Sequence, residues 1–194
     1  MNLINIKEPT SKTDSKICIG IDFGTTNSVC SVKFEDKFNF ITDNFKKKLI
    51  PTLIFYDKNK KLFGNDIIKS GRFLNSIFSV KRNFTVNFDE KKFFGNENQK
   101  ISSLDVSKDF FIYLKELCEN YLKVKVFNCV ITVPAYFDEK ARSGIMKAAF
   151  MAGFSVKRLI NEPTAAAFAY GLEKKKKVII LYMIWEEGHL MYHY

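Results

Sequence analysis

Several protein classes are excluded by what this 194-residue chain lacks. No uninterrupted apolar run reaches membrane-spanning length, and the first fifteen residues are polar and mixed in charge, without the apolar core of a secretory leader. The chain therefore reads as soluble and cytoplasmic, with no membrane as partner. Cysteine is sparse: Cys18, Cys30, Cys118 and Cys129 each sit singly in an apolar segment, without the paired spacing of metal sites. Reduced, buried thiols are the expectation. There is no internal repeat and no low-complexity tract. The net charge of +10 is carried by lysines that are scattered or set at element ends, as in Lys46 to Lys48 and Lys174 to Lys177. Aromatics are not interleaved with them in any recognition-helix or RNA-binding pattern, so the charge reads as solvated surface and nucleic acid is not an expected partner.

What is present is enough apolar residue, 46%, to bury a sizeable core, and one stretch around which the rest is arranged. Ile17 to Ser28 runs from β-prone residues into Asp22, then into Gly24 flanked by small hydroxyl residues, and Val29 to Phe34 resumes a strand pattern. The order is strand, tight turn, strand. Glycine lets the main chain approach a ligand closely, so the Gly24 and Thr25 amides and the Thr25 and Thr26 hydroxyls can converge on one anion. Asp22 would repel a bare phosphate; its use there is to hold a hydrated divalent cation that bridges to phosphates. The same residues would equally serve a plain hairpin whose Thr and Ser side chains satisfy turn hydrogen bonds.

Along the chain, residues 1–15 read as a disordered lead-in. Strands at Lys16–Phe23, Val29–Phe34 and Phe38–Ile41 are close enough for an antiparallel meander, Leu49 to Tyr56 reads as a further strand entered at Pro51, and Lys61 to Phe63 as a short partner. Asn65 to Phe73 has helical spacing with an Asn to cap it. Residues 75–101 read as short strands and loops. From Ser103 the period becomes 3.6, with Ser103 or Ser107 as cap and Phe110, Phe111, Leu114, Leu117, Cys118, Tyr121 and Leu122 as the apolar face. Val126 to Pro134 is the near-continuous apolar run of a central parallel strand. Asp138 caps a helix that stops at Gly153, Ser155 to Ile160 is a strand, and Glu162-Pro163-Thr164 opens an alanine-rich helix ending at Gly171. A mixed sheet with flanking helices follows, with residues 51–102 as an inserted subdomain.

Three segments are more specific: Ile19 to Ser28, Val130 to Phe137, and Asn161 to Gly171. Together and in order they resemble the ATPase domain of the DnaK-type heat-shock 70 chaperones, and Ser79-Val80-Lys81-Arg82 resembles the HscA branch that serves iron–sulfur cluster assembly. The resemblance implies an α/β fold, the first lobe of an actin-like, ribonuclease H-like ATPase domain. In it a mixed five-stranded sheet formed by residues 16–50 and 103–182 carries a small α+β insertion at 51–102. It implies ATP or ADP with Mg2+ as cofactors, and a J-type co-chaperone, client peptide and iron–sulfur scaffold protein as partners. Gly24, Thr25, Thr26 and Asn27 match the family's first phosphate loop. Lys81 matches the lysine that reaches the γ-phosphate and the attacking water, and Glu162 the carboxylate near hydrated magnesium, with Asp22 as the other metal-side carboxylate. Pro134 and Arg142 match positions that pass nucleotide state to the peptide-binding domain.

The resemblance breaks after Tyr182. The family continues into a second phosphate loop, Asp-Leu-Gly-Gly-Gly-Thr-Phe-Asp, whereas this chain reads Met183 to Tyr194. Back-translated with suitable codons and read from its third nucleotide, that tail encodes Asp-Leu-Gly-Gly-Gly-Thr-Phe-Asp-Val-Ser-Leu, so residues 183–194 read as an out-of-frame tail. The expectation is a chaperone fragment with half a nucleotide site, inactive alone, or half of a split chaperone completed by a separate chain. A fragment of a sugar or acetate kinase shares the Asp-Phe-Gly-Thr-Thr turn but not the other two segments. An actin-like filament protein would need the second loop in frame.

Overall fold

Alternation in β1 (Cys18–Phe23) sends Ile19, Ile21 and Phe23 to one face, where none is more than 1% exposed, and leaves Cys18 and Asp22 on the other. The structure, a computed structural model, describes residues 17–34, 37–57, 60–95, 99–169, 182–186 and 189–193. The expected lead-in at 1–15 lies outside them. β1 turns back into β2 (Asn27–Phe34), and β3 (Lys37–Ile41) completes the expected antiparallel meander. The main sheet is mixed: β9 (Asn128–Val133) lies parallel between β1 and β10 (Ser155–Asn161), as its apolar run predicts, and the five principal strands run in the order β10-β9-β1-β2-β3.

The strand expected over Leu49 to Tyr56 is two. β4 (Ile50–Pro51) joins the main sheet as a sixth strand against β2, whereas β5 (Ile54–Tyr56) pairs with β6 (Lys61–Phe63) in a separate hairpin. Pro51 has no N–H to extend a ladder, and Thr52 and Leu53 turn the chain out of the sheet. α1 is shorter than expected, Asn65–Lys69, and Asn65 does not cap it: Gly64 stands at the cap while the Asn65 amide donates to Asp43 Oδ2 at 2.6 Å. Residues 73–102 hold short 3-10 turns at Phe73–Asn75 and Val80–Thr85 and a second hairpin, β7 (Lys91–Phe94) with β8 (Lys100–Ser102).

The longest helix is α2 (Ser103–Leu122). Its cap is neither of the serines expected but Ser102, whose hydroxyl accepts from Asp105 N while the Asp105 carboxylate accepts from Ser102 N, a reciprocal capping box. Ser103 and Ser107 lie inside the helix, fully buried. Phe110, Phe111, Leu114, Leu117 and Cys118 form the buried face as expected, but Tyr121 is 47% exposed. Phe23 packs between Phe110 and Phe111, with ring centroids 6.1 and 4.9 Å away. Each such aromatic contributes about 2 kcal/mol by burial alone.

α3 (Glu139–Met151) is capped by the Asp138 side chain, which accepts from Ala141 N at 2.8 Å, and ends before Gly153 at φ +83°, a conformation glycine adopts without strain. α4 (Glu162–Ala169) follows β10 without a linker. The core is continuous: Val80, Phe84 and Phe88 pack in one cluster with the sheet and with Ile145 and Ala148 of α3. A Cβ at Gly144 would stand 2.8 Å from both Phe84 and Phe88, so the turn that carries Lys81 is seated directly on α3. Cys30, Cys118 and Cys129 are buried free thiols; Cys18, expected to be buried, is exposed because the face of β1 it occupies is the open one. Residues 170–181 are outside the described set. The following residues form an antiparallel hairpin, β11 (Tyr182–Glu186) with β12 (His189–His193), apart from the main sheet.

Candidate functional site

Parallel pairing brings three strand ends to one edge. Asp22 stands beside Thr132, Thr132 beside Ile160, and Val133 beside Asn161. The C-terminal ends of β1, β9 and β10 therefore deliver the Gly24 turn, Pro134 and Glu162 to the same side of the sheet, the side at which open α/β sheets bind ligands.

The turn after β1 is tight. A Cβ on Gly24 would come within 2.1 Å of the Asn27 carbonyl oxygen, so the chain passes where only glycine fits. Thr52, which the sequence did not single out, holds the turn. Its hydroxyl donates to Gly24 O at 2.9 Å, its amide donates to Thr26 O at 2.8 Å, and the Ser28 hydroxyl, 2.9 Å away, donates to it in turn. Thr25 is 8% exposed, while Thr26 and Asn27 face outward. The signal for Thr52 was available in principle: a hydroxyl directly after Pro51, at the point where the chain leaves the sheet.

Asp22 is exposed, and its Oδ1 accepts from the Thr132 hydroxyl at 2.6 Å. Lys81 and Glu162, far apart in sequence, meet: Nζ lies 2.5 Å from Glu162 Oε1, with the two side chains 1% and 16% exposed. The Lys81 ammonium also lies 6.0 Å from the centre of the Phe137 ring, a cation–π contact. Lys81 is thus not a free surface amine but a buried cation with a fixed carboxylate partner. Arg142 closes the arrangement. Its Nη2 donates to Asn161 Oδ1 at 2.5 Å and its Nε to Phe137 O at 2.9 Å, while Phe137 N donates to Pro134 O at 3.2 Å. Pro134 and Arg142 therefore bracket the turn beside Lys81, and Arg142 grips the residue preceding Glu162.

This donor set fits a phosphate chain with a hydrated divalent cation. One exposed carboxylate, a glycine turn with the outward Thr26 hydroxyl and Asn27 amide, and a lysine–glutamate pair supply anion and cation contacts together. Among the described residues no three His, Cys, Asp or Glu side chains cluster as a cation cage. A cation here would be held through water and phosphate, the usual habit of Mg2+. A cavity of about 390 Å³ lies elsewhere, against Tyr56, Lys61 and Asp109, and shares no residue with this edge. Its Asp109 is already engaged by Tyr56 at 2.9 Å and Lys61 at 2.7 Å.

A family model described as "Hsp70 protein" matches residues 18–188. The chain belongs to the Hsp70 family. Relatives of this Hsp70 chain include the "Chaperone protein HscA homolog" of Rickettsia rickettsii (strain Sheila Smith), 40% identical over 205 residues, covering 97% of this chain and 34% of the relative. The proteins of the same name from Rickettsia felis (39% identical) and Rickettsia akari (37%) cover 97% of this chain each, and 32% and 34% of their own lengths are matched. The chain thus spans about a third of the length of these curated relatives. The match favours the chaperone family over the kinase and filament readings, and the mixed sheet with its flanking helices agrees with it. Among the described residues, no helix is long and apolar enough to cross a membrane.

Proposed function

We propose that this Hsp70 chain carries the phosphate and metal side of a nucleotide site in an ATP-dependent chaperone of the HscA type. Support comes chiefly from the shared strand edge, where a glycine turn, an exposed carboxylate and the Lys81–Glu162 pair converge. In this reading the amides of the Gly24 turn and the Thr26 and Asn27 side chains bind phosphate oxygens, and Asp22 and Glu162 accept from the water shell of Mg2+. The cation, when bound, neutralises charge on the β- and γ-phosphates. Lys81 is held by Glu162 until a phosphate oxygen competes for it, and it then offsets charge that develops on the transferred group. Pro134 and Arg142 carry the state of the site toward a peptide-binding region, because both touch the Phe137 turn on which Lys81 rests. Residues 51–102 act as an inserted subdomain that supplies Thr52 and Lys81 to the edge.

A triphosphate nucleotide is gripped from two sides, and the adenosine side is not formed by residues 17–169 in this reading. A J-type co-chaperone, client peptide and iron–sulfur scaffold protein are the partners proposed, on the family resemblance alone. Amide NMR of the chain titrated with Mg-ATP tests the placement. Shifts at residues 22–27, 132–133 and 161–162 are expected; shifts confined to the Tyr56 and Asp109 cavity would overturn it.

A further inference from the structure

We propose that Thr132 is the positioning residue for the metal-side carboxylate. The inference deepens the reading of Asp22 given above and rests on it.

Thr132 reaches Asp22 through backbone pairing, not through a long flexible side chain. The two residues are register partners on adjacent parallel strands, 110 positions apart in sequence, so their side chains leave the sheet on the same face. Threonine is β-branched and stiff about χ1, which fixes the direction of its hydroxyl. That hydroxyl donates to Asp22 Oδ1 at 2.6 Å. Asp22 is exposed, and water alone would satisfy its charge, so the contact is not demanded by burial. What the contact does is remove rotational freedom: one carboxylate oxygen is tied to β9, which limits the directions open to the other. Groups that hydrogen-bond a metal's carboxylate ligand set its orientation, and their loss lowers metal affinity by about 10- to 100-fold; Asp22 acts through the cation's water, which places Thr132 at the lower end of that range. Valine at 132 would keep the strand and its packing but let Asp22 turn into solvent.

The test uses the whole chain, with Mn2+ as a paramagnetic stand-in for Mg2+ and inorganic pyrophosphate as the phosphate probe, read by selective broadening of the amide signals of residues 22–26. Thr132→Val should need about tenfold more Mn2+ for the same broadening. Thr132→Ser, which keeps the hydroxyl, should broaden at the concentration the unaltered chain needs, and Asp22→Asn should abolish the effect. A structural role alone would lower the urea midpoint of Thr132→Val without moving the Mn2+ requirement. If Thr132→Val does not fold, Thr132→Ala removes the same hydroxyl and is read in the same way. Unchanged broadening in Thr132→Val with loss in Asp22→Asn overturns the role of Thr132 and leaves that of Asp22 standing. Unchanged broadening in Asp22→Asn overturns both.

Discussion

Lys81 and Glu162 form an ion pair at 2.5 Å across 81 positions of sequence, with the lysine 1% exposed. The pair ties the 3-10 turn at Val80–Thr85 to the start of α4, and so joins the segment outside the main sheet to the end of β10. Removing one partner of a buried pair leaves the other charged and unsatisfied, which costs more than the pair itself contributes. Lys81→Met should therefore destabilise the chain by about 3 kcal/mol, and Lys81→Met with Glu162→Gln by clearly less than the sum of the single changes. Urea unfolding of the four proteins measures this; additive effects would show that the two side chains are not coupled.

Gly24→Ala should distort the turn after β1. The added Cβ would stand 2.1 Å from Asn27 O, which is backbone and cannot swing aside. A loss of about 2 kcal/mol is expected by comparison with other overpacked sites, together with altered amide shifts at Thr52, whose hydroxyl and amide both bind this turn. An alanine variant as stable as the parent, with unchanged Thr52 signals, would contradict the geometry.

How far the sequence can be read depends on the range of the interaction. The strand-turn-strand at Ile17–Phe34, the parallel run at Val126–Pro134 and the Asp138 cap were legible because each is set by local periodicity or a single cap. The meeting of Lys81 and Glu162 is approached from the sequence only through a family resemblance, since no local pattern places Lys81 beside Glu162. Thr52, Thr132 and the Arg142–Asn161 bond have no local signal because each joins segments distant in sequence: Thr132 meets Asp22 by strand register, Thr52 reaches the Gly24 turn from the loop after β4, and Arg142 reaches Asn161 from α3. The cap of α2 is Ser102 and not the Ser103 or Ser107 expected, because all three satisfy the composition rule and only Ser102 has Asp105 three positions on. Asn65 has the composition of a cap, but its amide donates to Asp43 instead.

Acid stability should depend on Glu119. Burial works to raise its carboxyl, but hydrogen bonds from Lys115, Lys125 and Val126 N outweigh it and hold the group at about 2, below the ordinary 4.5. A lowered folded-state value means that the contribution is complete above pH 4.5 and is lost as pH falls from there toward 2. Glu119→Gln should flatten this part of the stability–pH curve and cost about 1–2 kcal/mol at neutral pH, the worth of a charge-assisted hydrogen-bond set that is partly exposed. Urea midpoints between pH 2.5 and 6 decide it; parallel curves for the two proteins would count against the assignment.

Gly144→Ala should loosen the seat of the Lys81 turn. Phe84 and Phe88, whose ring centroids are 5.2 Å apart, would each have to move from a Cβ at 2.8 Å. A destabilisation of about 1–3 kcal/mol is expected, with shifted ring-proton signals for both phenylalanines. A neutral variant would mean that the rings are not held against α3.

The central claim is that these residues hold a nucleotide from one side only. Calorimetric titration of Mg-ATP into this chain alone tests it most directly. The account predicts a dissociation constant no tighter than about 1 mM, worth about 4 kcal/mol, and weaker still with Asp22→Asn. A dissociation constant near 1 μM, about 8 kcal/mol, would contradict it, since that affinity requires the adenosine contacts that residues 17–169 are proposed to lack.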